Sequence, residues 1–310
     1  FIIWQFRSLL YSLFLAFILM SGLRPLVMKL EKRKVNHILA VTIVFFTTII
    51  SFILMIAFIV PPLVQQTFDF FANFPQLVAS VSPFLAFYVS PESVQNLLPQ
   101  LTNNIPQITT NFFKLAGDVM ANLLFIVSTL FFTFYFLLDR QFGFGIFEKL
   151  FAKDQAKILQ HIFLKIEKRM SAWMWGQLLL MLIIGTMTFI GLVLFDVQYA
   201  LPLAFFAAIL EAVPIIGPMF SAIPAFFVVA SRSFVQGGGI LFMYLVIQQL
   251  ENNVIVPYVM KRTVGLHPVV TLIAITIGGK LGGVIGVLIS VPIALFIETV
   301  ILEVRVLKKI

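Results

Sequence analysis

The chain has 310 residues, 61% of them hydrophobic and only 11% charged, with a mean hydropathy of +1.06. A soluble domain carries about 25% charged residues, so this composition excludes a water-soluble globular enzyme. The formal net charge of +8 does not point to nucleic acid, because the basic residues cluster as they do in the cytoplasmic loops of membrane proteins.

A helix crosses the hydrocarbon core with about 20 apolar residues. Residues 8–23 are a slightly short candidate. They follow an apolar stub and Arg7, and the chain begins with Phe1 and not Met, so a further hydrophobic piece is expected upstream. Residues 24–34 carry Arg24, Lys29, Lys32, Arg33 and Lys34, and residues 37–60 are a clear span. Residues 61–113 hold no Lys or Arg, and Asp69 and Glu92 are their only charges. Within them, Ser90 before Pro91 reads as a helix start. Val94, Leu97, Leu98 and Leu101 follow at helical spacing, with Pro99 as a kink or stop. Short amphipathic helices on the outer surface, or against a partner, are expected there. Residues 115–138 are the next span. Residues 139–169 are basic again, with Arg140, Lys149, Lys153, Lys157, Lys165, Lys168 and Arg169. From Asp154, the residues Ile158, Ile162, Ile166 and Met170 recur every four positions, which predicts an amphipathic helix at the headgroups. Residues 172–195 cross next.

This reading predicts an all-α polytopic membrane protein with broken or re-entrant helices and short amphipathic helices on both surfaces. Its parts are two N-terminal spans (1–60), an extracytoplasmic segment (61–113), a span (114–138), a cytoplasmic amphipathic helix (139–171) and a transport core (172–310). The positive-inside rule puts 24–34, 139–169 and the C-terminal Arg305, Lys308 and Lys309 in the cytoplasm.

The apolar run 200–231 is cut by Pro214, Gly217 and Pro218. Its first half, 200–213, makes about 21 Å of helix, too short for a ~30 Å core. The run either crosses once as a kinked helix or doubles back as a re-entrant hairpin. A hairpin lets the next span, 239–257, deliver Lys261 and Arg262 to the cytoplasm, whereas a kinked crossing puts only Arg232 there. Two charges against one favour the hairpin. The run 268–302 is cut by Gly278, Gly279, Gly282 and Gly283, with Lys280 among them and Pro292 beyond, and reads as a second hairpin opening inward.

Interrupted hydrophobic segments mark transporter sites, because broken helices leave backbone groups free to bind a ligand at membrane depth. Polar residues gather beside these breaks. The candidate binding set is Glu211, Pro214, Gly217, Pro218, Gln248, Gln249, Glu251, Asn252, Asn253 and Lys280, with Gly278, Gly279, Gly282, Gly283 and Pro292 as hinge positions. A charge at the bilayer centre costs roughly 2.5–3.5 kcal/mol on insertion scales, so an intramembrane acid is a functional candidate. The bland alternatives are that Glu251 sits at the headgroups, Lys280 snorkels and Glu211 pairs with a neighbouring helix. Only Glu211 lies clearly deep, and the paired intramembrane carboxylates usual for cation exchange are not evident. His267, before Pro268, reads as a helix cap.

Cys is absent and the three His are far apart, so disulfides and a histidine-built metal site are not expected. There is no GxxxxGK[ST] phosphate loop, no HExxH and no GxSxG. No enzyme activity, cofactor, metal or nucleic-acid partner is expected. The expected partners are the lipid bilayer and a small polar solute or monovalent cation.

Five blocks carry a resemblance: RPLVMKLEKR (24–33), WGQLLLMLIIG (175–185), YALPLAFFAAILEAVPIIGP (199–218), QQLENNVIVPYVMKRTVGLHP (248–268) and GGKLGGVIGVLISVPIALF (278–296). In order and spacing they resemble the autoinducer-2 exporter (AI-2E) family, also called PerM-like permeases. Asp196, in FDVQYAL, stands where a glycine-like turn residue is expected. The resemblance implies a multi-pass protein of the bacterial inner membrane that forms homo-oligomers, pentamers among them. It implies export of a small polar signalling molecule such as the quorum-sensing compound autoinducer-2, or sodium or lithium ion/proton antiport. The first reading uses alternating access around the broken helices, and the second uses Glu211 or Glu251 as the exchanging carboxylate. A non-transporting scaffold leaves two breaks with polar residues at membrane depth unexplained.

Overall fold

Apolar runs fold as helices because lipid offers no partner for a free backbone amide, and every described element of this chain is helical. The computed structural model describes residues 7–88, 123–140, 142, 144–212, 217–260 and 266–307. The expected helix start at Ser90–Pro91 with Val94, Leu97, Leu98 and Leu101, and Pro214, Lys261 and Arg262, lie outside the described residues. Five helices among the described residues are long and apolar enough to cross a membrane: Ser8–Glu31, His37–Phe70, Lys153–Leu194, Phe234–Val259 and Ile285–Arg305.

The chain divides into two compact units, one of residues 1–52, 122–177 and 260–310, the other of residues 53–121 and 178–259. The elements in chain order are α1 (Arg7–Glu31), α2 (His37–Tyr88), α3 (Leu123–Leu138), α4 (Phe144–Leu150), α5 (Lys153–Leu194), α6 (Ala200–Leu210), α7 (Gly217–Ala230), α8 (Phe234–Leu250), a π turn (Glu251–Ile255), α9 (Val256–Val259) and α10 (Pro268–Leu307).

In the first unit, Phe17, Met20, Val41, Leu137, Ile166, Met170 and Leu295 form one apolar core. Small and hydroxyl residues let helices approach within it. The Thr129 hydroxyl donates to the Ser12 hydroxyl at 3.1 Å, and Trp175 Nε1 donates to the Gly22 carbonyl at 2.9 Å. The charged residues between and after the apolar runs are stitched together. Arg24 pairs with Glu167 at 2.6 Å and donates to the Asp139 carbonyl at 3.0 Å. Glu31 takes both Arg140, at 2.7 Å, and His37, at 2.9 Å. Arg169 holds Glu298 at 2.6 Å and the Thr299 hydroxyl at 2.7 Å, and Lys165 holds Glu303 at 2.7 Å. α1 closes on Lys34, whose φ of 65° lets Val35 N–H reach back to the Leu30 carbonyl at 3.3 Å, the usual exit of a helix through a left-handed residue.

α10 is not one rod. Gly283 has φ 57° and ψ −137° and breaks it into two arms. A Cβ built on Gly278 would collide with the Gly286 carbonyl oxygen, and one on Gly286 with the Gly278 carbonyl oxygen. Eight residues of straight helix would separate these two positions by about 12 Å, so the chain reverses at Gly283. His267 caps the first arm: its Nδ1 accepts from Val269 N–H at 3.3 Å.

In the second unit, the chain leaves α5 through Asp196, whose φ is 53°. Val197 N–H bonds the Leu192 carbonyl at 3.0 Å, so the position predicted to want a glycine-like residue is indeed left-handed. α6 and α7 then fold back on each other. Tyr199, Ala200, Leu203 and Ala204 at the start of α6 share a core with Ala225, Val228 and Val229 at the end of α7. Arg232, just past α7, donates to the Asp196 carbonyl at 3.1 Å and to Gln198 at 3.3 Å. The run 200–231 therefore enters and leaves at one place. Ser233 then caps α8, its hydroxyl accepting from Gln236 N–H at 3.4 Å.

Two elements run longer than the sequence suggests. The amphipathic stretch from 154 and the span 172–195 are one helix of 42 residues, α5, because no glycine, proline or cap interrupts 170–172. α2 does not stop at Val60 but continues past Pro61 and Pro62 to Tyr88. Leu63, Thr67 and Phe70 are buried beyond the prolines, at spacings that put them on one helical face, so packing outweighs the two missing backbone donors.

Candidate functional site

α6 has 11 residues and α7 has 14, about 17 and 21 Å of helix. Neither is long enough to span a membrane by itself. Glu211 is the first residue after α6, its backbone N–H bonded to the Ala207 carbonyl at 3.0 Å. It is 2% exposed.

α8 brings up the second acid. Its buried face runs through Gly237, Ile240, Tyr244 and Ile247, positions three or four apart, and Glu251 continues that stripe at 3% exposure. At Glu251 the helix widens into a five-residue π turn. Such turns are rare inside α-helices and are frequent at functional sites. Glu251 lies within electrostatic range of Glu211. The sequence reading takes only Glu211 as clearly deep and leaves Glu251 at the headgroups as an alternative; in the structure both side chains are buried.

Gln248, one turn earlier on α8, neighbours Glu251. The second oxygen of Glu251, Oε2, and Gln248 Oε1 are buried acceptors without a hydrogen-bond partner among the described residues. Tyr244 lies beside the fully buried Ser221 of α7, and its hydroxyl is a further buried polar atom without a hydrogen-bond partner among the described residues. Buried polar atoms cost free energy unless they are paired. Two carboxylates in an apolar interior also repel far more strongly than in water. A proton on one carboxyl, or a monovalent cation on the free oxygens, relieves both costs, and uptake or loss of either changes the charge of the site by one.

The remaining predicted site residues are dispersed. Gln249, Asn252 and Asn253 are exposed, and Asn253 bonds the Gln249 carbonyl and side chain, both at 2.9 Å. Gly217 and Pro218 open α7. Gly278, Gly279, Gly282 and Gly283 form the turn of the α10 hairpin in the first unit, Lys280 there is exposed, and Pro292 is buried in the second arm. Ser221 and Tyr244 were not anticipated. Helical spacing is a signal for Tyr244, which falls three or four residues from Gln248 and Glu251 on one stripe of α8; Ser221, on α7, has no such signal.

Residues 1–305 match the family described as AI-2E family transporter. The chain is 26% identical to the candidate transport protein YueF of Bacillus subtilis over 97% of its own length and 86% of the relative's. It is 26% identical to the candidate transport protein YhhT of Escherichia coli over 92% and 81%, and 25% identical to the candidate permease PerM of Escherichia coli over 97% and 88%. The α6–α7 and α10 hairpins coincide with two of the sequence blocks that carry the resemblance, and the chain belongs to the AI-2E transporter family.

Proposed function

We propose that this transporter exchanges protons for a monovalent cation, sodium or lithium, at Glu211 and Glu251. The observation that carries this reading is the burial of two acids within electrostatic range of each other, with Gln248 and Glu251 offering unpaired oxygens. Intramembrane acids of this kind are the usual components of proton relays, and oxygen donors suit hard cations. Each carboxyl alternates between a protonated and a cation-bound form, so the site never carries two uncompensated charges. Residues 24–34, 139–169 and the C-terminus face the cytoplasm of a bacterial inner membrane in this reading, on the positive-inside rule.

The test is internal pH in proteoliposomes when sodium or lithium is added outside. Wild type should move protons against the cation, and Glu211→Gln and Glu251→Gln should each abolish the response while eluting as folded protein. Wild type that gives no cation-driven pH change in sealed vesicles overturns the reading.

A second reading, export of a small polar solute such as autoinducer-2 by alternating access, is favoured by the exposed belt of Gln249, Asn252 and Asn253 next to the acid and by half-helix ends suited to hydroxyl-rich cargo. Labelled autoinducer-2 flux in the same vesicles, insensitive to sodium and lithium, would put this reading first.

A further inference from the structure

The first unit carries a groove that the transport reading does not use. It lies between the two arms of α10, has a volume of about 550 Å³, and is lined at its inner end by Tyr11 of α1. Its walls are two helical stripes. Ile273, Ile277 and Leu281 come from the first arm and Ile293, Ile297 and Ile301 from the second, and all six are more than a third exposed. From Gly286 to Leu302 the second arm runs for about 24 Å, more than the ~15 Å half-thickness of a hydrocarbon core.

The charge pattern at the far end selects an occupant. Glu298 is neutralised by Arg169 at 2.6 Å and Glu303 by Lys165 at 2.7 Å. Arg305, one turn beyond the apolar lining, is exposed and has no ion-pair partner among the described residues. The groove is therefore apolar along its length and carries one uncompensated positive charge at its end. The polar atoms inside it are satisfied locally: the Ser290 hydroxyl donates to the Val287 carbonyl at 2.6 Å and the Tyr11 hydroxyl to the Leu281 carbonyl at 3.4 Å. Among the described residues, no hydroxyl along the apolar walls is left over for a polar solute, and the Arg305 guanidinium is the donor at the end.

We propose that this groove holds an acyl chain of an anionic glycerophospholipid, with the phosphate on Arg305. Guanidinium groups match phosphate oxygens in geometry as well as charge. The chain fills the space between the arms, so the bound lipid braces the hairpin that turns at Gly283.

The test is native mass spectrometry of the full chain, released from neutral detergent after exposure to phosphatidylglycerol or phosphatidylcholine with the same acyl chains. Phosphatidylglycerol should be retained about five-fold more than phosphatidylcholine, the effect of one basic residue near a membrane surface. Arg305→Gln should equalise the two, and Ala294→Trp, which fills the groove, should reduce both. Equal retention by wild type, a preference that survives Arg305→Gln, or full retention by Ala294→Trp overturns the proposal. A dissociated oligomer with unchanged lipid retention in Ala294→Trp also overturns it, and makes the groove an interface between copies of this chain. Phosphatidylglycerol with a photoreactive acyl chain tests the wild type directly. Crosslinks should concentrate on 270–302, and an even spread over the other apolar helices overturns the proposal without any variant.

Discussion

Gly278 and Gly286 touch backbone to backbone across the α10 hairpin, each occupying the place where the other's side chain would begin. Close approach of this kind is open only to glycine. Gly278→Ala and Gly286→Ala should each destabilise the protein by about 1–3 kcal/mol, the range for overpacking, read as a fall in the unfolding midpoint in micelles. Gly279→Ala is the control. Its Cβ would meet only the Val287 methyl at 3.3 Å, and its effect should be clearly smaller.

Gly283 fails differently. A Cβ there meets nothing within 4 Å, so space is not the constraint. Its φ of 57° with ψ of −137° belongs to a region that side chains avoid, at a cost of order 1–3 kcal/mol. Gly283→Ala should therefore destabilise in spite of the open space. Lys34→Gly, at φ 65°, should do the reverse and raise the midpoint slightly, because the left-handed cost is removed.

Arg24 bridges α1, the Glu167 carboxylate of α5 and the Asp139 carbonyl. Both charged side chains are nearly buried, at 14% and 11%. Removing one partner leaves the other charge uncompensated, which is the costly way to break such a pair. Arg24→Ala should cost about 3 kcal/mol by chemical unfolding in micelles, the low end for a buried pair because both side chains keep some exposure, and more than Glu167→Gln, since the Asp139 carbonyl also loses its donor.

Exposure separates the polar residues that follow α8. Asn252→Ala and Lys280→Gln alter exposed side chains and should leave cation-driven proton flux within about two-fold of wild type, under 0.5 kcal/mol on the barrier. Glu251→Gln should abolish it. Measured in the same vesicle assay, the three variants show whether transport follows burial or mere proximity in sequence.

The breaks were legible in the sequence because proline and glycine act locally: Gly278 to Gly283 mark the turn of one hairpin, and Pro214, Gly217 and Pro218 mark the link of the other. The left-handed turn at Asp196 was legible for the same reason. The carboxyl pair was not. Glu211 and Glu251 are forty positions apart in sequence, and it takes the fold of α6, α7 and α8 to bury both within electrostatic range of each other. The run Gln248 to Asn253 looked like one polar belt because its members are consecutive. A helix distributes consecutive residues around its axis, so Gln248 and Glu251 point inward while Gln249, Asn252 and Asn253 do not. The lengths of α2 and α5 are not legible because a helix can continue through a change of composition, as α2 does past Pro61 and Pro62 and α5 does past 170–172.

The π turn at Glu251–Ile255 also sets a rule for insertions and deletions. It holds one residue more than an α-helical turn would. Deleting a single residue just after Glu251 would remove that surplus, let the ladder close as ordinary α-helix and leave the residues downstream close to their present orientation about the axis, with Glu251 itself in place. The same deletion before Glu251 would swing the acid off the Ile240–Tyr244–Ile247 face. Chains of this architecture should therefore tolerate length changes on one side of this acid and not on the other.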